Sequence, residues 1–256
     1  MAKTIAVVNQ KGGVGKTTTT VNLAASLGAQ GCRILMVDID PQGNATSGFG
    51  IDKRSLEQSS YDVLINGVAA KDVIIKSNYK NVDVLPANMD LAGAELELVE
   101  LPGREKRLKT ALSPLYDSYD FMLLDCPPSL GLITLNALCA SDTFLVPIQC
   151  EYYALEGLSQ LMSTVRTVKR MYNPYIELEG VVLTMYDGRL NLTQQVVEEV
   201  KKYFPKKVFA SVIPRNVRLS EAPSFGQPVL YYDNSSKGSQ AYVNLAKEFI
   251  RNNKKR

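Results

Sequence analysis

The stretch "TIAVVNQKGGVGKTTTT", residues 4–20, decides how the rest of the chain is read. Residues 4–9 read as one short strand, and a helical pattern follows over 17–29. Between them stand Gly12, Gly13 and Gly15. Without Cβ atoms these three let the backbone curl its N–H groups inward, and the helix start adds the positive end of its dipole. Strand, glycines, lysine, hydroxyl and helix in that order make a cradle for phosphate oxygens. Lys16 would reach the β- and γ-phosphates, and Thr17 would offer its hydroxyl to Mg²⁺. The usual spacing, G-x-x-x-x-G-K-[ST], puts the first glycine at position 10. Gln10 stands there, and Lys11 follows as a second cation. A glycine-rich turn without a ligand is the plain alternative, and it leaves the lysine and hydroxyl unexplained.

Outward from this loop, short β-branched runs at 4–9, 33–38, 82–85, 120–125, 143–148, 179–185 and 208–213 alternate with helical patterns at about 17–29, 90–100, 104–117, 154–172, 191–203 and 237–251. Several of the strands, such as "FMLLD" and "GVVLTM", are apolar on both faces. Strands of that kind are covered by helices on each side. The expected fold is therefore α/β: a doubly wound, mainly parallel sheet with helices on both faces, built as a single domain over residues 1–256. Hydrophobic residues make up 45% and charged residues 21% of the chain, with no window of the roughly 20 apolar residues a membrane helix needs. No histidine is present, and the cysteines at 32, 126, 139 and 150 lack C-x-x-C spacing. That pattern removes the common zinc sites and any Ser-His or Cys-His pair, and predicts buried, reduced thiols. "MAK" leads directly into the first strand, so no export signal is expected.

Two acidic strand ends extend the phosphate site. "FMLLDCPP" ends in Asp125, placed as a carboxylate that reaches Mg²⁺ through a water; an ordinary strand terminus is the alternative. "ILMVDIDPQGNAT" carries Asp38 and Asp40, two residues apart and on one side if extended. Either could orient a water toward a γ-phosphate, or serve only as a turn or cap residue before Pro41.

"KGGVGKTT", "VDIDPQGNATSG", "LLDCPPSLG", "QCEYYALEGLSQL" and "VIPRNVRLSEAPSFG" together resemble the ParA/Soj chromosome-partitioning ATPases over nearly the whole chain. In that family the extra lysine, here Lys11, marks a deviant Walker A loop. The resemblance implies that Lys11, Gly12, Gly13, Val14, Gly15, Lys16, Thr17 and Thr18 bind ATP with Mg²⁺, and that Pro214 and Asn216 line the adenine. It implies that Lys11, Lys16 and Asp40 serve hydrolysis, with Asp40 preparing the attacking water and Thr17 and Asp125 serving the metal. It further implies an ATP-bound homodimer, DNA binding without sequence preference through Arg189 and Arg218, stimulation by a ParB-type partner, and a cytoplasmic, nucleoid-associated protein. Lys11 would reach across the dimer to the partner's phosphates, because little unneutralised charge remains for it in its own site.

Charge distribution bears on the DNA expectation separately. From Arg166 to Arg218 there are ten Lys/Arg and five Asp/Glu, a surplus of five, against three for the whole chain. A moderate basic region suits weak phosphate binding, although on composition alone a solvated helix face is the better reading, especially for Lys201, Lys202, Lys206 and Lys207. A membrane-cycling ATPase of the MinD kind is the main alternative and requires a spare C-terminal amphipathic helix. Here Tyr242, Leu245, Ala246, Phe249 and Ile250 form one stripe, expected to dock on the domain, so no stable membrane binding is expected. A reductase with a shared iron–sulfur cluster and a nucleotide-dependent transferase remain further alternatives.

Overall fold

The computed structural model describes residues 1–151 and 154–254, the side chains of 154–156 excepted; Tyr152 and Tyr153 of the "QCEYYALEGLSQL" motif fall outside the described residues. Among the described residues, seven strands form one sheet: β1 Lys3–Val7, β2 Ile34–Asp38, β3 Ile75–Lys76, β4 Val82–Leu85, β5 Phe121–Asp125, β6 Thr143–Gln149 and β7 Glu177–Thr184. Their order is β3-β4-β2-β5-β1-β6-β7, parallel throughout except for the short antiparallel edge strand β3. The longer helices are α1 Lys16–Ala29, α4 Leu91–Glu100, α6 Leu132–Ala140, α7 Ala154–Met171, α8 Asn191–Tyr203 and α11 Lys237–Asn253. Short helices α2 Asn44–Gly48, α3 Ala70–Val73, α5 Arg107–Leu112, α9 Val217–Glu221 and α10 Val229–Tyr232 complete the set.

The two-sided apolar character of the strands becomes two cores. Ile5, Val7, Ile34, Met36 and Leu123 face one cluster with α1 and α11, while Ala6, Val8, Leu35, Val37, Met122 and Leu124 face the other with α4, α6 and α7. This is the period-two alternation of a strand covered on both faces. The stripe on α11 is used in the first of these: Tyr242, Leu245, Ala246 and Phe249 are buried against it. Each of Leu245 and Phe249 contributes about 2–3 kcal/mol by leaving water. At the amino edge of the sheet, Lys3 Nζ donates to Glu179 on β7 and to Asn253 Oδ1 at 2.6 Å, and Asn253 Nδ2 donates to Glu179 Oε1 at 2.8 Å. The end of α11 is thereby fastened under β1.

Two expectations require correction. Residues 208–213 are not a strand: they touch β7 through an isolated bridge at Val208 and hydrogen bonds of Phe209 and Ile213. The amides of Ala210 and Ser211 instead donate to the Glu248 carboxylate at 2.8 Å each, which interrupts the ladder. The helix expected over 104–117 shrinks to α5, followed by a 3-10 turn around Pro114. Conversely, "LITLNALCA" forms α6, which the pattern hid because the segment is apolar all round and nearly all buried.

β1 lies inside the sheet, with β5 on one side and β6 on the other, so the chain reverses its direction of winding there. Crevices outside the carboxyl ends of strands at such a point are where α/β sheets bind ligands. In register, Val7 and Asp38 both lie opposite Asp125, so β1, β5 and β2 end side by side.

Candidate functional site

The glycine-rich loop leaves β1 and is fixed on both flanks. Asn9 Nδ2 donates to Pro147 O on β6 at 2.8 Å, its Oδ1 accepts from Lys11 N at 3.0 Å, and Thr184 Oγ1 on β7 donates to Val14 O at 2.8 Å. Gly13 and Gly15 have φ of 74° and 85°, a left-handed region that side chains strain to enter, so glycine is required there. Lys16 begins α1 and is buried, with Nζ donating to Lys11 O at 3.3 Å. Burial pulls its pKa down, and the Asp125 carboxylate opposes that. A cation held out of water against a single carbonyl is poised for a stronger anion.

Asp125 is wholly buried and doubly served. Its Oδ2 accepts from Thr17 Oγ1 at 2.7 Å and its Oδ1 from Thr20 Oγ1 at 2.9 Å. Burial raises its pKa and the neighbouring Asp38 raises it further, against the two hydroxyl hydrogen bonds. Sequence reasoning missed Thr20, although in "TTTT" residues 17 and 20 share one helix face. The hydroxyl of Thr17 and the carboxylate of Asp125 are a pair of hard oxygens suited to Mg²⁺, which keeps most of its ligands as water.

The aspartate that ends β2 and the one two residues beyond it divide their work. Asp38 is fully buried and accepts from Asp40 N at 3.1 Å and from Thr46 N and Oγ1 at 2.7 Å each. Burial raises its pKa and these hydrogen bonds resist the rise. Its lone pairs are occupied in folding residues 38–46, the cap role left open by the sequence. Asp40 uses Oδ1 to accept from Gln42 N at 2.9 Å, and its Oδ2 takes no hydrogen bond among the described residues.

Lys11 differs from expectation. Its ammonium donates to Glu151 Oε2 at 2.7 Å, just beyond β6, so it does find a counter-charge within its own subunit. The signal was an acid at the carboxyl end of an apolar strand, the same reading given to Asp125. Pro214 and Asn216 line a cavity of about 240 Å³ with Gly15, Thr18, Thr184 and Tyr242. Asn216 Oδ1 also caps α9 by accepting from Arg218 N at 3.1 Å. The bridge between Tyr186 and Pro214 lays the loop of Arg189 beside the segment of Arg218. Neither guanidinium is free: Arg189 grips Asp187 at 2.8 and 2.6 Å, and Arg218 meets Glu221 at 2.7 Å and Asp233 at 3.3 Å. The bidentate grip pulls Asp187 down to about 2. All four cysteines are free thiols, three of them buried; burial pushes Cys139 and Cys150 up to about 11.

Similarity to known proteins follows this geometry. A family model described as an AAA domain matches residues 2–178. The sporulation initiation inhibitor protein Soj of Bacillus subtilis is 58% identical over 252 residues, covering 98% of this chain and 100% of its own length. The chain belongs to the Soj/ParA family. The ParA chromosome partitioning protein of Myxococcus xanthus is 52% identical, over 98% of this chain and 89% of its own. Among solved structures, the cobyrinic acid a,c-diamide synthase of Mycobacterium smegmatis with bound ADP and magnesium superposes with a TM-score of 0.87 at 38% identity, covering 99% of this Soj/ParA chain and 96% of that one. No described helix is long and apolar enough to cross a membrane.

Proposed function

We propose that this Soj/ParA protein is an Mg²⁺-dependent ATPase that dimerises on ATP, holds DNA without sequence preference as the dimer, and segregates chromosome or plasmid DNA. The observation that carries the reading is the cluster of Lys16, Thr17 and Asp125 at the mouth of the glycine loop, with one Asp40 oxygen left unengaged. Gly12 to Thr18 bind the phosphates, and the cavity beside Pro214 and Asn216 takes the base. Thr17 and, through water, Asp125 would hold magnesium, which would supply neutralisation of the phosphate charge. Asp40 Oδ2 accepts a proton from, and orients, the water that attacks. The first two motifs contain no arginine to act as a catalytic finger, so turnover is slow until a ParB-type partner acts.

Lys11 supports the dimer part of the reading. Its pair with Glu151 is exposed by 34% and 48% at the two side chains, and such pairs are worth about 0.2–1 kcal/mol. Triphosphate on a second subunit carries more charge in a drier place and outcompetes that carboxylate. Arg189 and Arg218 follow the bridged residues Tyr186 and Pro214 and serve DNA phosphates, each giving up a carboxylate to do so. The protein is accordingly cytoplasmic and nucleoid-associated.

The deciding experiment compares Asp40→Ala with the double variant Lys11→Ala/Asp40→Ala, by light scattering and DNA binding with ATP, ADP and no nucleotide. Asp40→Ala should form a stable ATP dimer bound to DNA, and the double variant should bind ATP but remain monomeric. A normal dimer of the double variant overturns the role across the interface. ADP and free phosphate as the only products of the parent separate the reading from ATP-dependent ligation.

A further inference from the structure

α4 turns its inner face into the core through Leu91, Ala94 and Leu98, all fully buried. Its outer face breaks the rule that an exposed helix face is polar. Met89, Ala92, Leu96 and Val99 fall at i, i+3, i+7 and i+10 and form one solvent-facing apolar stripe. Leu96 is 79% exposed, Met89 58% and Val99 47%. Single exposed apolar residues are ordinary, but a continuous stripe of them marks a contact surface. Acids border the stripe: Glu95 on one side, Glu97 and Glu100 on the other, with Asp90 at the helix start; the one cation at its end, Arg104, donates to Val99 O at 2.7 Å and is paired with Glu105 at 3.3 Å, and no other Lys or Arg lies between 81 and 105.

The charge selects the occupant. DNA phosphates and anionic lipid are repelled by this border. A second copy laid stripe to stripe would bring two acidic borders together, which is unfavourable when the residues directly oppose. We infer that α4 docks a basic, apolar-bearing segment of the activating partner, its leucine-like side chains on Leu96 and its lysines or arginines on the flanking carboxylates. This deepens the reading that a partner stimulates hydrolysis and rests on it.

Position supplies a route from docking to turnover. Glu95 packs on Gly131, where an added Cβ would lie 2.1 Å from Glu95 Oε1. Gly131 caps α6 and closes the loop that begins at Asp125. Behind α4, Asn136 on α6 donates to Arg104 O at 2.7 Å and accepts from Leu108 N at 3.2 Å. A load on α4 is therefore felt by the segment that carries the metal-site carboxylate.

The test uses Leu96→Ser and Glu100→Lys, both at exposed positions where folding is little affected. Two readouts are needed. One is stimulation of hydrolysis by a ParB-type partner. The other is direct binding of a 20-residue helical peptide of leucine and lysine, followed by fluorescence anisotropy. Leu96→Ser should raise the half-saturating concentration of both by roughly tenfold, the worth of one buried leucine side chain. Glu100→Lys should weaken both at low salt and less so at high salt. Basal hydrolysis and ATP-dependent dimerisation should match the parent. Peptide binding equal in parent and Leu96→Ser overturns the assignment, and so does loss of the dimer, which would give the stripe to a second copy. If the partner stimulates nothing while the peptide still distinguishes the variants, the docking surface stands and the partner reading falls.

Discussion

Lys3 begins β1 and Lys16 follows the loop that leaves its other end, and their surroundings are opposed in kind. Lys3 at the amino edge ends on Glu179 and Asn253, each of which also bonds the other. Burial alone would raise the Glu179 pKa, yet the Lys3 pair and the Asn253 hydrogen bond outweigh it and leave the carboxyl below its ordinary value. Lys16 at the carboxyl edge is more deeply buried and has one carbonyl. Its nearest carboxylate, Asp125, is taken up by two threonine hydroxyls. One edge is a closed network that secures the fold. The other stores charge without full partners, which is how a site keeps binding energy for a ligand.

Removing each lysine in turn should expose the difference. Lys16→Ala should abolish ATP-dependent dimerisation and hydrolysis while leaving the melting temperature within a few degrees of the parent, since it removes a buried charge and only one weak hydrogen bond. A collapse of thermal stability would show that the carboxyl edge is also structural. Lys3→Met should do the reverse: about 3 kcal/mol lower stability in urea unfolding, because Glu179 is left buried without its cation, and ATP hydrolysis unchanged. The pH profile sharpens this. A carboxyl held below its ordinary value stabilises the fold above that value and loses the contribution as pH falls through its folded value. The parent should therefore lose stability more steeply than Lys3→Met as solution turns acid, and parallel curves would contradict the network.

The smallest effect concerns a third arrangement, charges paired at the surface. Arg189→Ala should leave the dimer intact and make the slope of log K for DNA against log salt shallower by about 0.9 for each DNA phosphate that the protein ceases to neutralise. Part of that change will be hidden, because Asp187 already neutralises the guanidinium in the free protein. Arg189→Ala with Asp187→Ala should bind DNA no worse than Arg189→Ala alone. An unchanged slope in Arg189→Ala would move the DNA surface elsewhere.

The contrast also explains what the sequence made legible. Glycines, Lys16, Thr17 and the strand-end acids Asp38 and Asp125 were readable because each residue type and spacing is dictated by local backbone geometry. The sheet and its two-sided burial followed from apolar runs. Side-chain partners across long separations were not readable. Nothing local pairs Lys11 with Glu151, 140 residues away, or Thr184 with the Val14 carbonyl. The false strand at 208–213 has the same origin, since its amides are claimed by Glu248 from α11. α6 was hidden for the opposite reason: a helix with no polar face has no period to read.

The place of β1 in the sheet has a consequence for synthesis. β1 leaves the ribosome before the other strands of this sheet, yet it pairs only with β5 and β6, and Lys3 meets Phe121 while Ile5 meets Thr143. At 5–20 residues per second, the wait for its first neighbour is on the order of 10 s. Throughout that interval a strand apolar on both faces has no edge to join, and the glycine loop behind it has no walls. Nascent chains of this protein should therefore be a chaperone's substrate early and an ATP-binding protein only late, once the strands on either side of the first have been made.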